Sequence, residues 1–450
     1  MFGTPRAAST VNGGQVSDDS SSVKLLRSYR WIPLAIFAAS ILVTVGFWQI
    51  LPASFRVNEG SDYIEYYEPV ARNLVAGKGL TLDGQPDVSH PPGYSLVLAG
   101  VFKVSQAIGI SDERALAVLA ALGMGLISVL IFFLARTMWG MWPAVISALL
   151  WMTYPFALWF TKQPNSEIPF MIVFYGALIL FWGAAVRRIN AWPLHAICGF
   201  LLGVAMLIRP IGIGLGFTMA IVLWLVRRDL SRYSRILLMT MLLIGNGVAV
   251  LPWEIWAYSQ TGKVIPLGKG GVGGMRDGLT FGADRKNYRE ETRFSPDVSI
   301  VMSDLHANLK DANTVSAIVA AVSAEARAHP AGVAKLFVLK FARSWYGTDS
   351  LRKEGWILLI QILYLFPVIW SIRRVWRQGE SQRRFMLGVF VVVLYFWIMS
   401  VMGSSLLRFM VPVTGLIFVL IAGAFLRFPL RARHQKSGIE RAESLPAYEG

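Results

Sequence analysis

The sequence predicts an all-α polytopic membrane protein, with about ten transmembrane helices and interfacial helices in two large outward loops. Three observations carry that prediction. Hydrophobic residues make up 55% of the chain and mean hydropathy is +0.52, too apolar for a soluble domain or a disordered chain. Apolar runs of about twenty residues, the length that crosses a bilayer as a helix, recur throughout. Arginines gather at the ends of alternate runs instead of forming one patch. The net charge of +16 therefore reads as cytoplasmic anchoring, and no nucleic-acid partner is expected. The single cysteine, Cys198, lies inside an apolar run, which excludes an intrachain disulfide and a cysteine-based metal cluster.

Residues 1–30 are Ser- and Gly-rich and end in Lys24, Arg27 and Arg30, as expected for a disordered cytoplasmic tail. The run at 31–51 is longer than the apolar core of a secretory signal, so it is expected to be an uncleaved first span with its N-terminus in the cytoplasm. Further spans are predicted at 114–135, 143–160, 168–186, 192–208, 211–226, 236–257, 356–372, 386–402 and 409–426. Together they make one membrane domain over 31–427, followed by a charged cytoplasmic tail at 428–450.

The segment 94–109 is about sixteen residues long and is interrupted by Lys103, Ser105 and Gln106. Counting it as a span would move the clusters Arg187/Arg188, Arg227/Arg228/Arg232/Arg235 and Arg373/Arg374/Arg377/Arg383/Arg384 to the outer face. That arrangement opposes the positive-inside rule, so 94–109 is expected to lie in the outer interface as an amphipathic helix. Loops 52–113 and 258–355 then face outward. So do the short turns holding "TKQPNSE" (161–167), "RP" (209–210) and "GSSLLRF" (403–409). Polar residues not explained by anchoring all fall on that one face.

Several of these residues suggest chemistry. In "SDYIEYYEPVARNLVAGKG" (61–79), a helical reading places Ile64, Tyr67, Ala71, Leu74 and Val75 on an apolar stripe, with Asp62, Glu65, Tyr66 and Arg72 opposite. Pro69 must kink or restart that helix. Its acidic residues also suit a helix start with no further role. "SHPPGY" (89–94) enforces an extended entry, and Gly93 permits a close backbone approach. Lys162 and Glu167 are compatible with simple interface anchoring, because lysine snorkels. Arg209 and Arg408 are harder to explain that way, since a cation at membrane depth costs about 2.5–3.5 kcal/mol even on lenient scales. Two such arginines on the outer side point to an anionic partner at the bilayer surface, and guanidinium pairs bidentately with phosphate.

In this order, these elements resemble the GT-C-type membrane glycosyltransferases of the protein O-mannosyltransferase and aminoarabinose-transferase superfamily. The resemblance covers about residues 31–427. It rests on the first-loop acid ahead of "ARNLVAGKG", "HPPGY", "NSE", "RP", "PW" at 252–253 and "RFMVP". It implies transfer of a sugar from a polyprenyl-phosphate carrier, with Asp62 as base and Glu65 as the alternate. His90, Lys162, Arg209 and Arg408 would hold the donor phosphate, and Tyr66, Tyr94 and Glu167 would contact substrate. Two departures stand out. Asp62 lies one residue further from "ARNL" than in the commonest pattern, which keeps Glu65 open. After "PW", where relatives often show Arg-Asn, this chain has Glu254-Ile255-Trp256-Ala257.

The expected reaction takes place at the outer face of the cell (inner) membrane, with inversion at C1 and an acceptor that is a lipid, glycan or protein. No His/Cys/Asp cluster shows zinc spacing, so no metal site and no cofactor are expected. A transporter or flippase of polyprenyl-linked lipids is the competing class; it predicts mid-membrane polar residues and repeated halves, and the chain shows few and none respectively. A non-enzymatic scaffold predicts no convergence of polar clusters. "GKGGVGGMRDG" (268–278) is expected to be a flexible gating loop that opens no helix, and 317–345 a pair of interfacial helices broken at Pro330. Arg343 is a further candidate for phosphate contact.

Overall fold

The computed structural model describes residues 30–52, 62–281, 294–348 and 353–425. The tails expected at 1–30 and 428–450 lie outside these, apart from Arg30. Helix α1 (Ile32–Ile50) is followed by a π turn, Tyr63–Tyr67, that runs straight into α2 (Glu68–Val75). A two-residue hairpin pairs β1 (Thr81–Leu82) with β2 (Gln85–Pro86). Next come α3 (Gly93–Ile108), α4 (Asp112–Trp139), α5 (Met141–Met152), α6 (Pro155–Trp159), α7 (Glu167–Val186), α8 (Trp192–Ile208), α9 (Leu215–Val226) and α10 (Arg232–Thr261). The large loop that follows carries α11 (Gly270–Leu279), α12 (Pro296–Leu309), α13 (Val315–Ala328) and α14 (Pro330–Arg343). The chain then returns through α15 (Glu354–Leu365), α16 (Pro367–Trp376), α17 (Glu380–Met402) and α18 (Leu407–Gly423).

Each of the ten apolar runs is helical. Among the described residues six helices are long and apolar enough to cross a membrane, counting α15 and α16 as one; a seventh joins them if the pair α5–α6, bent by 51°, is one span. The three remaining runs form α8, α9 with the turn before it, and α18, each shorter than eighteen residues. The ten predicted runs are thus helices of unequal length, of which six or seven are long enough to be spans. Helix α3 is also short, and its buried face (Tyr94, Leu98, Ala99, Phe102) leaves Leu96, Val104 and Ile108 exposed.

With lipid on the far side, the packing of these helices depends on close approach rather than on expulsion of water. Helices α8 and α10 show it. A Cβ at Gly199 would fall 1.8 Å from the Leu242 carbonyl oxygen, and one at Gly245 would fall 1.9 Å from that of Ala196. Only hydrogen at both positions lets the two backbones touch.

Two local expectations are corrected. In 61–79 the buried residues are Tyr63, Tyr67, Val70 and Ala71, while Ile64 is 51% exposed. The Glu68 amide bonds the Tyr63 carbonyl, an i→i+5 link that adds one residue to the turn and shifts the apolar face. Pro69, with no amide proton of its own, follows at the start of α2. The glycine-rich segment does open a helix, α11. Its docking explains why: the Lys269 and Gly270 amides donate to the Val88 and Ser89 carbonyls, and Gly278 packs against Gly403. Tertiary contacts outweigh the weak helix propensity of glycine. The break at Pro330 is where the sequence indicates it, between α13 and α14.

Candidate active site

At one end of the helix bundle, five separated stretches converge. Gly93 lies so close to the end of α8 that a Cβ there would stand 2.5 Å from the Leu207 carbonyl carbon and oxygen. This contact presses "HPPGY" against the turn that carries Arg209. Arg209, 5% exposed, is the residue that ends α8. Its Nη1 lies 2.5 Å from Glu167 Oε1 and donates to Ser166 Oγ at 3.1 Å. Arg408, near the start of α18, reaches the same Glu167 oxygen with both Nε and Nη2 at 2.9 Å. The Phe409 ring flanks both guanidinium groups, 5.6 Å from that of Arg209 and 5.8 Å from that of Arg408.

Glu167 is 1% exposed at the first turn of α7, and among the described residues its buried Oε2 has no hydrogen-bond partner. The cluster therefore holds two guanidinium charges against one carboxylate. Arg209 is enclosed, whereas the Arg408 side chain is 38% exposed.

The first loop supplies the other wall. Tyr67 packs edge-on against Tyr94 at 4.9 Å and beside His90 at 5.1 Å, and Tyr66 lies 4.7 Å from the same imidazole. Burial and then the Asp62 carboxylate push the Tyr67 phenol above its ordinary range; Arg209 and Arg408 pull it back, and Glu167 adds to the rise. Tyr67 thus lies within electrostatic reach of Asp62 and of the Glu167–Arg209–Arg408 cluster alike. His90 is held below its ordinary value of 6.5 by burial, against the pull of Asp62 and Asp87. It is neutral at pH 7, and among the described residues its buried Nδ1 has no hydrogen-bond partner. The N-terminal end of α11 covers it from the far side, with a Cβ at Gly270 only 3.4 Å from Nε2.

Not every candidate joins this cluster in the same way. Asp62 and Glu65 are both exposed on the π-turn segment, but Asp62 is the carboxylate that bears on Tyr67 and His90. Tyr94 is 2% exposed and serves as packing behind Tyr67. Lys162 lies over the Trp159 ring, its Nζ 4.2 Å from the centroid. Arg343, a candidate for phosphate contact in the sequence, is instead buried against Glu354, with Nη2 2.7 Å from Oε1. Glu254, which stands where relatives often show arginine, accepts from the Leu267 amide at 2.8 Å and fixes the start of the glycine-rich segment. Sequence reasoning misses Tyr67 and Ser166 as parts of the site, because the helical pattern places Tyr67 on an apolar stripe and Ser166 has no marker beyond "NSE".

The helical bundle and this polar end define a class, that of multi-pass membrane proteins with the fold of GT-C-type glycosyltransferases. The sequence model of the dolichyl-phosphate-mannose-protein mannosyltransferase family matches residues 89–256, a stretch that includes His90, Lys162, Glu167 and Arg209. The fold matches the Archaeoglobus fulgidus oligosaccharyltransferase tethered to an acceptor peptide containing the NVT sequon, with a TM-score of 0.54 and 13% identity. It also matches AglB of the same organism in complex with an inhibitory peptide and a dolichol-phosphate, with a TM-score of 0.51 and 14% identity. In both cases 88% of this chain is covered, and the chain spans 50% of the length of the archaeal protein. ArnT from Cupriavidus metallidurans bound to undecaprenyl phosphate superposes with a TM-score of 0.40 at 16% identity, covering 89% of this chain and 78% of that one. No curated protein matches the sequence. Over most of its length this chain thus has the fold of the GT-C-type membrane glycosyltransferases.

Proposed function

We propose that the protein is a glycosyltransferase that moves a sugar from a polyprenyl-phosphate donor to an acceptor at the outer face of the cell membrane. The observation that carries this reading is the position of Tyr67 within reach of both Asp62 and the arginine pair. A carboxylate and an excess of positive charge thus bear on one phenol. The family match over 89–256 supports the reading, as does a fold seen elsewhere with dolichol-phosphate.

In this mechanism the donor phosphate meets Arg408, whose guanidinium is half-open, while Arg209 stands behind it locked by Glu167 and Ser166. Asp62 takes the proton from the acceptor hydroxyl as its oxygen bonds to C1. The C1–O bond to phosphate breaks with its electron pair leaving on the phosphate. One displacement of this kind inverts C1. A positioned carboxylate contributes about 10²–10⁴-fold, and preorganised guanidinium charge stabilises the leaving group. The guanidinium pair fills the role a metal ion would otherwise have, so the reading needs no metal. His90, neutral at pH 7, serves as a hydrogen-bond donor to phosphate rather than as a charge, and Lys162 adds charge further out. Tyr66 lines the substrate. Glu167 acts as clamp for the arginines. The acceptor is a lipid, glycan or protein.

The test uses purified full-length protein, a polyprenyl-phosphate sugar and a crude extract of outer-face acceptors, with release of polyprenyl phosphate followed over time. Asp62→Asn should lose at least about 10²-fold in rate while donor binding survives, and Glu65→Gln should be milder. The reverse order would move the base to Glu65. Donor flipping without sugar release would favour a transporter of polyprenyl-linked lipids instead.

A further inference from the structure

Away from the arginine cluster, helices α11 to α14 enclose a small core of their own, built on Leu279, Val301, Met302, Leu305, Ile318 and Leu336. At its edge stand Asp304 on α12, Glu325 on α13 and His329 at the joint between α13 and α14. The ligand atoms of all three lie within 4.8 Å of one another. Glu325 and His329 are one helical turn apart, which puts both side chains on one face, and the His329 amide closes that turn on the Glu325 carbonyl at 2.7 Å.

Glu325 is the telling member. It is 6% exposed, and its Oε1 is buried with no hydrogen-bond partner among the described residues. The nearest counter-group, His329 Nε2, is 4.0 Å away, beyond hydrogen-bonding range. A carboxylate oxygen buried in this state has given up its water without a replacement, which leaves it available to a ligand.

We propose that Asp304, Glu325 and His329 form a divalent cation site of the zinc class that pins α12 to the α13–α14 joint. One imidazole and two carboxylates suit a first-row divalent ion and are poorly matched to magnesium or calcium, which prefer all-oxygen sets. Tetrahedral ligands about 2.0–2.2 Å from zinc stand roughly 3.4 Å apart, with water in the fourth position. The exposed His329 side chain and the half-buried Asp304 supply the small contraction required. A core this small gains most from such a staple, because little apolar surface is available to it. The residues lie outside 89–256 and outside the proposed reaction site.

The test uses full-length protein in detergent, stripped with chelator and titrated with Zn²⁺, with Co²⁺ as a visible-absorbance probe. Wild type should bind one equivalent that raises the thermal midpoint, and Co²⁺ should show low-symmetry d–d bands. His329→Gln and Asp304→Asn, both at solvent-accessible side chains, should each weaken that equivalent at least about tenfold and abolish the thermal gain. Glu325→Gln should do the same if it folds, and the two accessible variants decide the matter if it does not. No binding by wild type, or equal binding by wild type and both accessible variants, overturns the proposal.

Discussion

Gly93 touches the carbonyl of Leu207 through a gap that no side chain can occupy: a Cβ there would stand 2.5 Å from the carbonyl carbon and oxygen. The contact joins the first loop to the turn that holds Arg209. Gly93→Ala must therefore push α3 away from α8. Overpacking of this kind costs about 1–3 kcal/mol. The expected result is a lower thermal midpoint, with polyprenyl-phosphate release falling more steeply than the folded fraction, because Tyr67 and His90 move with α3. A variant with wild-type midpoint and rate would show that the close approach is dispensable.

Arg209 and Arg408 should behave differently despite sharing one carboxylate oxygen. Arg209 is enclosed with Glu167, and breaking a buried ion pair from one side costs up to about 3–5 kcal/mol. Arg209→Ala is expected chiefly to reduce stability, partly restored by adding Glu167→Gln. Arg408 is more exposed, and Glu167 keeps Arg209 when it is lost. Arg408→Ala should fold and weaken apparent donor affinity about tenfold, with partial rescue by lysine, which keeps the charge but loses the fork. Unchanged donor affinity in folded Arg408→Ala protein would remove the phosphate assignment.

The arginine distribution predicts sidedness. With the buried Cys198 replaced by alanine, cysteines at Lys269 and Ala331 should react with an impermeant thiol reagent applied to the outer face of intact cells. Cysteines at Ser231 and Ser381 should react only after the membrane is opened. The reverse pattern would turn the candidate site to the cytoplasm.

Much of this architecture is legible in the sequence. Hydropathy locates the ten helical runs, because a bilayer imposes length and polarity on each segment separately. The gathering of "HPPGY", "NSE", "RP" and "RFMVP" at one end is legible too, since alternation of sides follows from span order. Pairings across the fold are not. Glu167 and Arg408 are 241 residues apart, and nothing local in either segment says that one neutralises the other. The helix at Gly270 was missed because its stability comes from carbonyls of Val88 and Ser89, far away in the chain. The Asp304–Glu325–His329 group escaped spacing rules because Asp304 sits on a different helix from the other two.

The π turn at Tyr63–Tyr67 works as an angular offset. Each residue of an α-helix advances the chain by about 100° around the axis, so the one extra residue held in the Tyr63–Glu68 link sets the direction in which Asp62 leaves the helix. Relaxing that turn to ordinary α geometry would swing Asp62 by roughly that angle, away from His90 and Tyr67, while Ala71 and Val70 stayed seated. The aim of the carboxylate is thus adjustable by a single-residue insertion or deletion upstream of Pro69, without any change in the acid itself or in the packing of α2.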